Sequence, residues 1–127
     1  MTADIEQFHK QQYLNLETFR KDGSGVKTPL WFVRQDDALY MRTLATSWKV
    51  KRIRRQSAVR IVPSDAQGAP KGEWVAATAE LLPAAENAWV SAAFIKKYGL
   101  LKRLIDLRSR WRGYNESSFV VIVARLA

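Results

Sequence analysis

The sequence contains no cysteine and a single histidine, His9, in 127 residues. Without cysteine the chain has no disulfide, no thiolate nucleophile and no cysteine-ligated metal. One histidine also argues against a structural zinc site and against a catalytic triad that uses histidine as its base. The side chains therefore offer little chemistry of their own, and binding is the function to look for first.

Long apolar runs are also missing. No segment approaches the roughly 20 apolar residues that a membrane-spanning helix requires. The first ten residues, MTADIEQFHK, contain no apolar core of a signal peptide. We therefore expect a cytoplasmic protein without a membrane span. Its length and its 47% of hydrophobic residues predict one domain over 1–127 with one core.

Acidic residues are scarce where basic residues concentrate. The formal net charge of +9 predicts an anionic partner: a nucleic acid, a membrane surface or a phosphorylated small molecule. Between Arg42 and Arg60 there are seven Lys or Arg residues and no Asp or Glu. A second basic cluster runs from Lys96 to Arg112, where Asp106 is the only acid. Net charge alone does not choose among the three kinds of partner.

Alternating apolar residues and turn residues predict six strands. They are expected at Tyr13–Arg20, Val26–Arg34, Ala38–Thr43, Ser57–Pro63, Glu73–Leu82 and Phe119–Ala124. Pro29 lies inside the second strand and places it at a sheet edge or a bulge. The last strand is continuously apolar and β-branched, which is typical of a central strand buried on both faces. The first three strands are expected to form a meander.

Helical periodicity is found between the strands. A helical lead-in is expected over 1–12, and a helical insertion over 84–113 precedes the last strand. A further helix should begin at Thr46 or Ser47 and end near Gln56, with Val50 and Ile53 facing inwards. Short antiparallel strands with such inserted helices favour a small β-barrel, mainly β in class.

The basic stretch that begins at Arg42 is suited to holding a phosphate. Thr43 and Ser47 supply hydroxyl groups, the start of the helix supplies free N–H groups, and Lys49 lies in the first turn. A solvated helix face explains the same charges. A nucleic-acid surface is a third explanation, but only Trp48 is available there for stacking on bases.

The segment T-P-L-W, from Thr28 to Trp31, is a second candidate. A bulged edge strand exposes main-chain groups that a flat heterocycle can contact, although Trp31 can equally be a core residue. The short turn at Gln35–Asp37 is expected to place this strand beside Ala38–Thr43. No nucleophile or general acid–base constellation is visible, so any chemistry is expected to come from a cofactor.

Taken together, these motifs resemble a known family. The segments YLNLETFRKDGSGVKTPLWFV, LYMRT and SWKVKRIRR, followed by SDAQGAP, TAELL and KYGLLKRL, are similar to the split-barrel flavin and deazaflavin oxidoreductases. These are the pyridoxamine-5'-phosphate-oxidase-like class, and the likeness is greatest to its F420-dependent branch. Two departures are Gln56–Ser57, where many members have Asn/Asp-Pro, and Ala76–Ala77, where glycine is frequent.

The resemblance implies a six-stranded antiparallel split β-barrel of the FMN-binding type. It also implies a homodimer with a groove that holds coenzyme F420 or FMN and passes hydride to an organic acceptor. The ring would lie on Thr28, Pro29, Leu30 and Trp31. The phosphate-bearing tail would be held by Arg42, Thr43, Ser47 and Lys49, with Lys51 or Arg52 as helpers.

Two other functions remain open on the same residues. The first is a non-catalytic carrier or sensor that binds a flavin, a haem or another amphiphile on the same fold. The second is a nucleic-acid-binding module. It is the least favoured, because the positive charge flanks an apolar strand pair rather than an aromatic platform.

Overall fold

Seven strands form one antiparallel sheet in the computed structural model, which describes residues 3–114 and 118–126. The order across the sheet is β2-β1-β5-β6-β7-β4-β3. The strands are β1 (Tyr13–Phe19), β2 (Gly25–Trp31), β3 (Val33–Gln35), β4 (Ala38–Leu44), β5 (Ala58–Ser64), β6 (Val75–Pro83) and β7 (Phe119–Leu126). The helices are α1 (Ala3–Glu6), α2 (Trp48–Arg55), α3 (Ala88–Tyr98) and α4 (Leu100–Trp111).

The two edge strands of this sheet, β2 and β3, are separated in the chain by one residue, Phe32. The sheet therefore curls until its edges meet at a bent strand, which makes it a barrel. Pro29 pairs with Asn15 of β1 and lies on the outermost strand, where a missing N–H costs no ladder bond. Its edge position confirms the interpretation of that proline.

The bend at Phe32 corrects two sequence predictions. The single strand expected over Val26–Arg34 is two strands, so the sheet has seven strands rather than six. The expected three-strand meander is found along the bent strand, because β2 pairs with β1 and β3 pairs with β4, but β4 has no register with β2. The segment Thr28–Trp31 is therefore hydrogen-bonded to β1 and is not the strand beside Ala38–Thr43.

The remaining strands follow the sequence patterns. The segment with helix-forming residues before Pro83 is β6, as the flanking turn residues predicted. The last strand, β7, lies between β6 and β4, and its residues 121–124 are buried. The prediction of a central strand is confirmed. The described part of the 1–12 lead-in contains α1, and the 84–113 segment contains α3 and α4.

Strand alternation divides the apolar residues between two cores. The inner one fills the barrel and includes Leu14, Leu16, Leu39, Met41, Ile61 and Ile122. The outer one lies between the opposite face of the sheet and α3, and includes Val33, Ala38, Val90, Phe94, Val121 and Val123. The helical insertion is thus attached to the barrel through a packed apolar layer.

Tyr98, at the end of α3, holds the bend. Its hydroxyl accepts a hydrogen bond from the N–H of Phe32 at 3.0 Å and lies 2.6 Å from the carbonyl oxygen of Gln12. Its ring stacks on Trp31 with 4.2 Å between centroids. The neighbouring Lys97 donates a 2.7 Å hydrogen bond to the carbonyl oxygen of Phe32. Both main-chain groups of the bend are therefore satisfied by α3 rather than by a strand.

We expect Tyr98→Phe to lower the free energy of unfolding by about 1–3 kcal/mol. The substitution keeps the ring stack but leaves the N–H of Phe32 without its acceptor. Chemical denaturation followed by circular dichroism measures the change. Tyr40→Phe is the control, because the Tyr40 hydroxyl makes no hydrogen bond to the described residues. Equal denaturation midpoints for the two variants would mean that Tyr98 does not hold the bend.

Candidate functional site

Helix α2 begins directly after the turn that follows β4. Ser47 is the N-cap residue, with an extended backbone (φ −67°, ψ 154°), and the helix runs from Trp48 to Arg55. Val50 and Ile53 are its buried residues, as their spacing predicted. The other side chains of the helix are basic or aromatic, so the buried pair fixes which way the charges point.

The Ser47 hydroxyl at the start of α2 has no hydrogen-bonding partner within residues 3–114 and 118–126. Ser47 Oγ is buried, it makes no capping bond, and no other described residue bonds to it. The first turn of the helix contains no acidic residue, and the first N–H groups of any helix have no partner within the helix. A buried hydroxyl and several N–H groups without acceptors are the groups that a bound phosphate would satisfy.

Lys49 lies in the same first turn. Its side chain is half-buried, and it makes no ion pair or hydrogen bond with the part of the chain that the structure describes. Desolvation lowers the pKa of Lys49, and the positive charge of Arg52 lowers it further. A cation at a helix N-terminus is also disfavoured by the helix dipole. An anion bound at this point would offset all three effects.

A basic groove runs beside α2, between the helix and the β1–β2 hairpin. It has a volume of about 730 Å³. It is lined by Arg20, Lys21, Val26, Trp48, Lys51, Arg52 and Arg55. Five of these seven residues are cationic and none is acidic, so the groove favours an anionic ligand.

Two contacts position cationic side chains of the basic groove. Arg52 donates a 2.7 Å hydrogen bond from Nε to the Thr18 hydroxyl. Burial, and then the charge of Arg20, lower the pKa of Arg52. Lys51 places its ammonium 4.3 Å from the ring centroid of the exposed Trp48. The cations are therefore crowded, and a ligand anion would relieve their mutual repulsion.

Arg42 and Thr43 point to opposite faces of β4, as neighbours on a strand must. Thr43 is buried and lies on the face that carries Leu39 and Met41 into the barrel. The guanidinium of Arg42 lies 3.7 Å from the centroid of the Phe119 ring and 3.8 Å from Asp106 of α4. The structure thus directs Arg42 towards the helical insertion.

The same alternation divides Thr28–Trp31. Leu30 packs against the inner core, whereas Trp31 belongs to the outer core and is stacked on Tyr98. Pro29 lies opposite Asn15 in the register, and Asn15 Oδ1 is buried without a hydrogen-bonding partner among the described residues. This oxygen is a second orphaned polar atom, and it adjoins the strand on which a ring was expected.

The structure places Lys51 and Arg52, which were predicted to assist in holding the phosphate-bearing tail, in the basic groove. The sequence analysis did not identify several other residues of this groove. Arg20 and Lys21 come from the hairpin tip, and Arg55 comes from the last turn of α2. The signal was present, because R-K precedes the glycine-containing turn D-G-S-G at an exposed hairpin. Only the fold shows that this hairpin lies against the basic helix.

Two other kinds of site are absent from residues 3–114 and 118–126. No group of three or more His, Asp or Glu side chains there is arranged to hold a metal ion. No described helix has both the length and the apolar character needed to cross a membrane.

Comparison with known proteins identifies the fold. No family model matches the chain, and no curated protein matches it by sequence. Solved structures do match it. An F420 reductase is 18% identical with a TM-score of 0.60, covering 96% of this chain and 91% of that one. A FAD-binding protein from Mesorhizobium loti is 15% identical with a TM-score of 0.66, covering 100% and 90%.

The haem storage protein HutZ from Vibrio cholerae has the same architecture. It is 12% identical with a TM-score of 0.68, covering 99% of this chain and 89% of that one. The chain thus has the mainly β, antiparallel split-barrel fold of the pyridoxamine-5'-phosphate-oxidase-like proteins. At these identities the likeness concerns the fold.

We expect Ser47→Ala to change the free energy of unfolding by less than about 0.5 kcal/mol. Removal of an N-cap side chain usually costs about 1 kcal/mol, but here no capping bond is lost. Thr18→Val is the matched control, because it removes a buried hydroxyl that accepts from Arg52 and should cost about 1–3 kcal/mol. Equal losses in the two variants, measured by denaturant titration, would show that Ser47 Oγ is already bonded.

Proposed function

We propose that the chain binds a phosphorylated flavin-type cofactor, FMN or the deazaflavin F420, and works as an oxidoreductase. The observation that carries the proposal is the start of α2, where the Ser47 hydroxyl and the half-buried Lys49 lie within two residues and neither has a partner in the described part of the chain. When bound, such a cofactor supplies hydride transfer. The chain itself would position the cofactor and exclude water.

The phosphate anchor consists of the α2 N-terminus with Ser47 and Lys49. A phosphate there accepts from the hydroxyl and the free main-chain N–H groups, while Lys49 supplies the charge-assisted bond. Lys51 and Arg52 continue the positive charge into the basic groove, where an anionic tail would lie. Thr43 points into the barrel with Leu39 and Met41, and Arg42 faces Asp106, so we place neither side chain in the anchor.

The ring site is proposed along Thr28, Pro29, Leu30 and Trp31. This part of β2 is the outermost strand of the sheet, so its outward main-chain groups are available to a heterocycle. The orphaned Asn15 Oδ1 beside Pro29 is an acceptor for a ring N–H. A homodimer is part of the proposal, because the basic groove is open on one side and a second copy would cover it. The substrate is a small organic acceptor.

A non-catalytic carrier is the second candidate function. It is favoured by the shortage of proton-transfer groups, since the single histidine, His9, is exposed and none of the seven groove residues is acidic. A haem carrier would have only that one histidine as an axial ligand. Stoichiometric cofactor binding without turnover against a panel of acceptors would favour the carrier over the oxidoreductase.

We expect Lys49→Ala to weaken cofactor binding by about 1.5–3 kcal/mol, roughly 10- to 150-fold in Kd. This is the usual effect of removing a hydrogen bond to a charged group. Fluorescence titration of the wild-type protein and the variant with FMN and with F420 measures it. Failure of the wild-type protein to bind either cofactor would overturn the proposed function.

Arg54→Ala is the matched control for Lys49. It removes the same charge from the same helix, but Arg54 lies beside Leu81 and Phe119 rather than in the basic groove. Its affinity should stay within about threefold of wild type, because a distant surface charge is screened at physiological salt. An equal loss in both variants would mean that net charge, and not the anchor, holds the ligand.

We also expect binding to weaken as the pH rises through the lowered pKa of Lys49. Burial lowers the pKa of Lys49 in the free protein, and a bound phosphate would raise it again. Affinity is therefore complete below the lowered pKa and falls as the pH increases through it, because binding then requires proton uptake. Titrations at increasing pH should show this fall in the wild-type protein and much less of it in Lys49→Arg. Equal pH profiles for the two would exclude Lys49 as the titrating group.

A further inference from the structure

Helix α4 has its polar side inwards and its apolar side outwards. Lys102 is only 4% exposed, and its ammonium group is hydrogen-bonded to both carboxylate oxygens of Asp106. Asp106 also lies 3.8 Å from Arg42 of the sheet. The outward residues are large and apolar: Leu101, Leu104, Ile105, Leu107 and Trp111. This order is the reverse of an ordinary surface helix.

The exposure of this apolar face is unusual for a domain of this size. Leu107 is 66% exposed and Trp111 is 92% exposed. These two residues border a shallow depression of about 610 Å³ with Leu104, Arg108 and Arg110. At 100° per residue, the five apolar residues occupy one continuous arc of the helix. A contiguous apolar patch of this kind marks a surface that binds something.

Among the residues that the structure describes, the charges around this arc are all positive. Arg103 and Arg110 flank one side, Arg108 lies within the arc, and Arg112 follows the helix. The one acid of α4, Asp106, points towards Arg42 and Lys102 and so does not neutralise the outer face. Long arginine side chains can bend away from an apolar surface while keeping their charged ends in a polar layer.

The positive charges around the apolar arc distinguish between two possible binding partners, a second copy of the chain and a lipid surface. In a twofold contact between copies of the chain, the same patch would face itself, and the arginines would meet arginines without an acid to pair with. An anionic lipid surface offers an apolar layer for the leucines and the tryptophan and phosphates for the arginines. The helix is about 18 Å long, so it would lie in the plane of a bilayer rather than cross it.

We propose that the outward face of α4 docks this protein on the surface of an anionic lipid bilayer. The apolar arc enters the boundary between headgroups and acyl chains, and the arginines around it contact lipid phosphates. The α2 site lies on a different helix, so this proposal does not rest on cofactor binding.

Vesicle co-sedimentation of the full chain tests the proposal. The probes are phosphatidylcholine vesicles and phosphatidylcholine vesicles that contain phosphatidylserine. The protein should sediment with the second and stay in solution with the first. Leu107→Ser combined with Trp111→Ser should weaken binding by about tenfold or more, because both side chains would leave the lipid. Both residues are exposed, and an unchanged circular dichroism spectrum confirms that the variant is folded.

Arg110→Glu and Arg54→Glu make a matched pair, since each changes the net charge by the same amount. Arg110 borders the apolar face of α4, whereas Arg54 lies on α2. Arg110→Glu should therefore weaken vesicle binding several-fold more than Arg54→Glu. Equal losses would show attraction of the whole basic protein to lipid and would overturn the docking face. Failure of the wild-type protein to bind the anionic vesicles would do the same. Light scattering provides a further test. The docking face would also be overturned if the wild-type protein were a dimer and the Leu107→Ser, Trp111→Ser double variant were a monomer.

Discussion

The contact between the Tyr98 hydroxyl and the main chain of Phe32 supports most of the architecture. The strand that closes the barrel bends at this one residue, and a bend removes a main-chain N–H and C=O from the ladder. Left unpaired in a buried place, each group would cost roughly 1–3 kcal/mol. Tyr98 accepts from the N–H, and Lys97 donates to the C=O. The helical insertion therefore satisfies the main-chain groups at the bend where the barrel closes.

The same bend links the two cores. The Phe32 side chain lies in the inner core, edge-on to Phe8 at 5.9 Å. The neighbouring Trp31 belongs to the outer layer and stacks on Tyr98. Lys97 places its ammonium 3.7 Å from the centroid of the Phe32 ring, and desolvation there lowers the pKa of Lys97 to about 8. A short stretch around one residue thus joins the lead-in, the barrel and the helices.

The sequence predicted the elements better than their connections. The periodicities of β7 and of α2 depend on local spacing, so the central strand and the buried Val50 and Ile53 could be read directly. The bend at Phe32 depends on Tyr98, which is 66 residues away, and no residue between Val26 and Arg34 announces it. Pro29, the one unusual residue in that stretch, marks the edge strand but not the break.

The candidate site shows the same division between residue type and placement. Ser47 and Lys49 could be picked out because a helix start defines their position. Strand alternation places the side chains of Arg42 and Thr43 on opposite faces of β4, and this could be predicted from the sequence. The hairpin cations Arg20 and Lys21 are visible in the sequence, but their place in the basic groove was not predictable, because it depends on how β1 and β2 lie against α2.

The orientation of α4 follows from the burial of two cations. Lys102 is almost fully buried, and Arg42 also lies under the helical insertion. Asp106 is the only acid in the helix, and it serves both. If it turned outwards, Lys102 would lose its carboxylate, and an uncompensated buried charge is strongly destabilising. The apolar residues on the opposite side of the helix must therefore face away from the barrel, and the outer arginines are left without a neutralising partner on that helix. The internal charge balance of the fold thus produces an outer face that is both apolar and cationic.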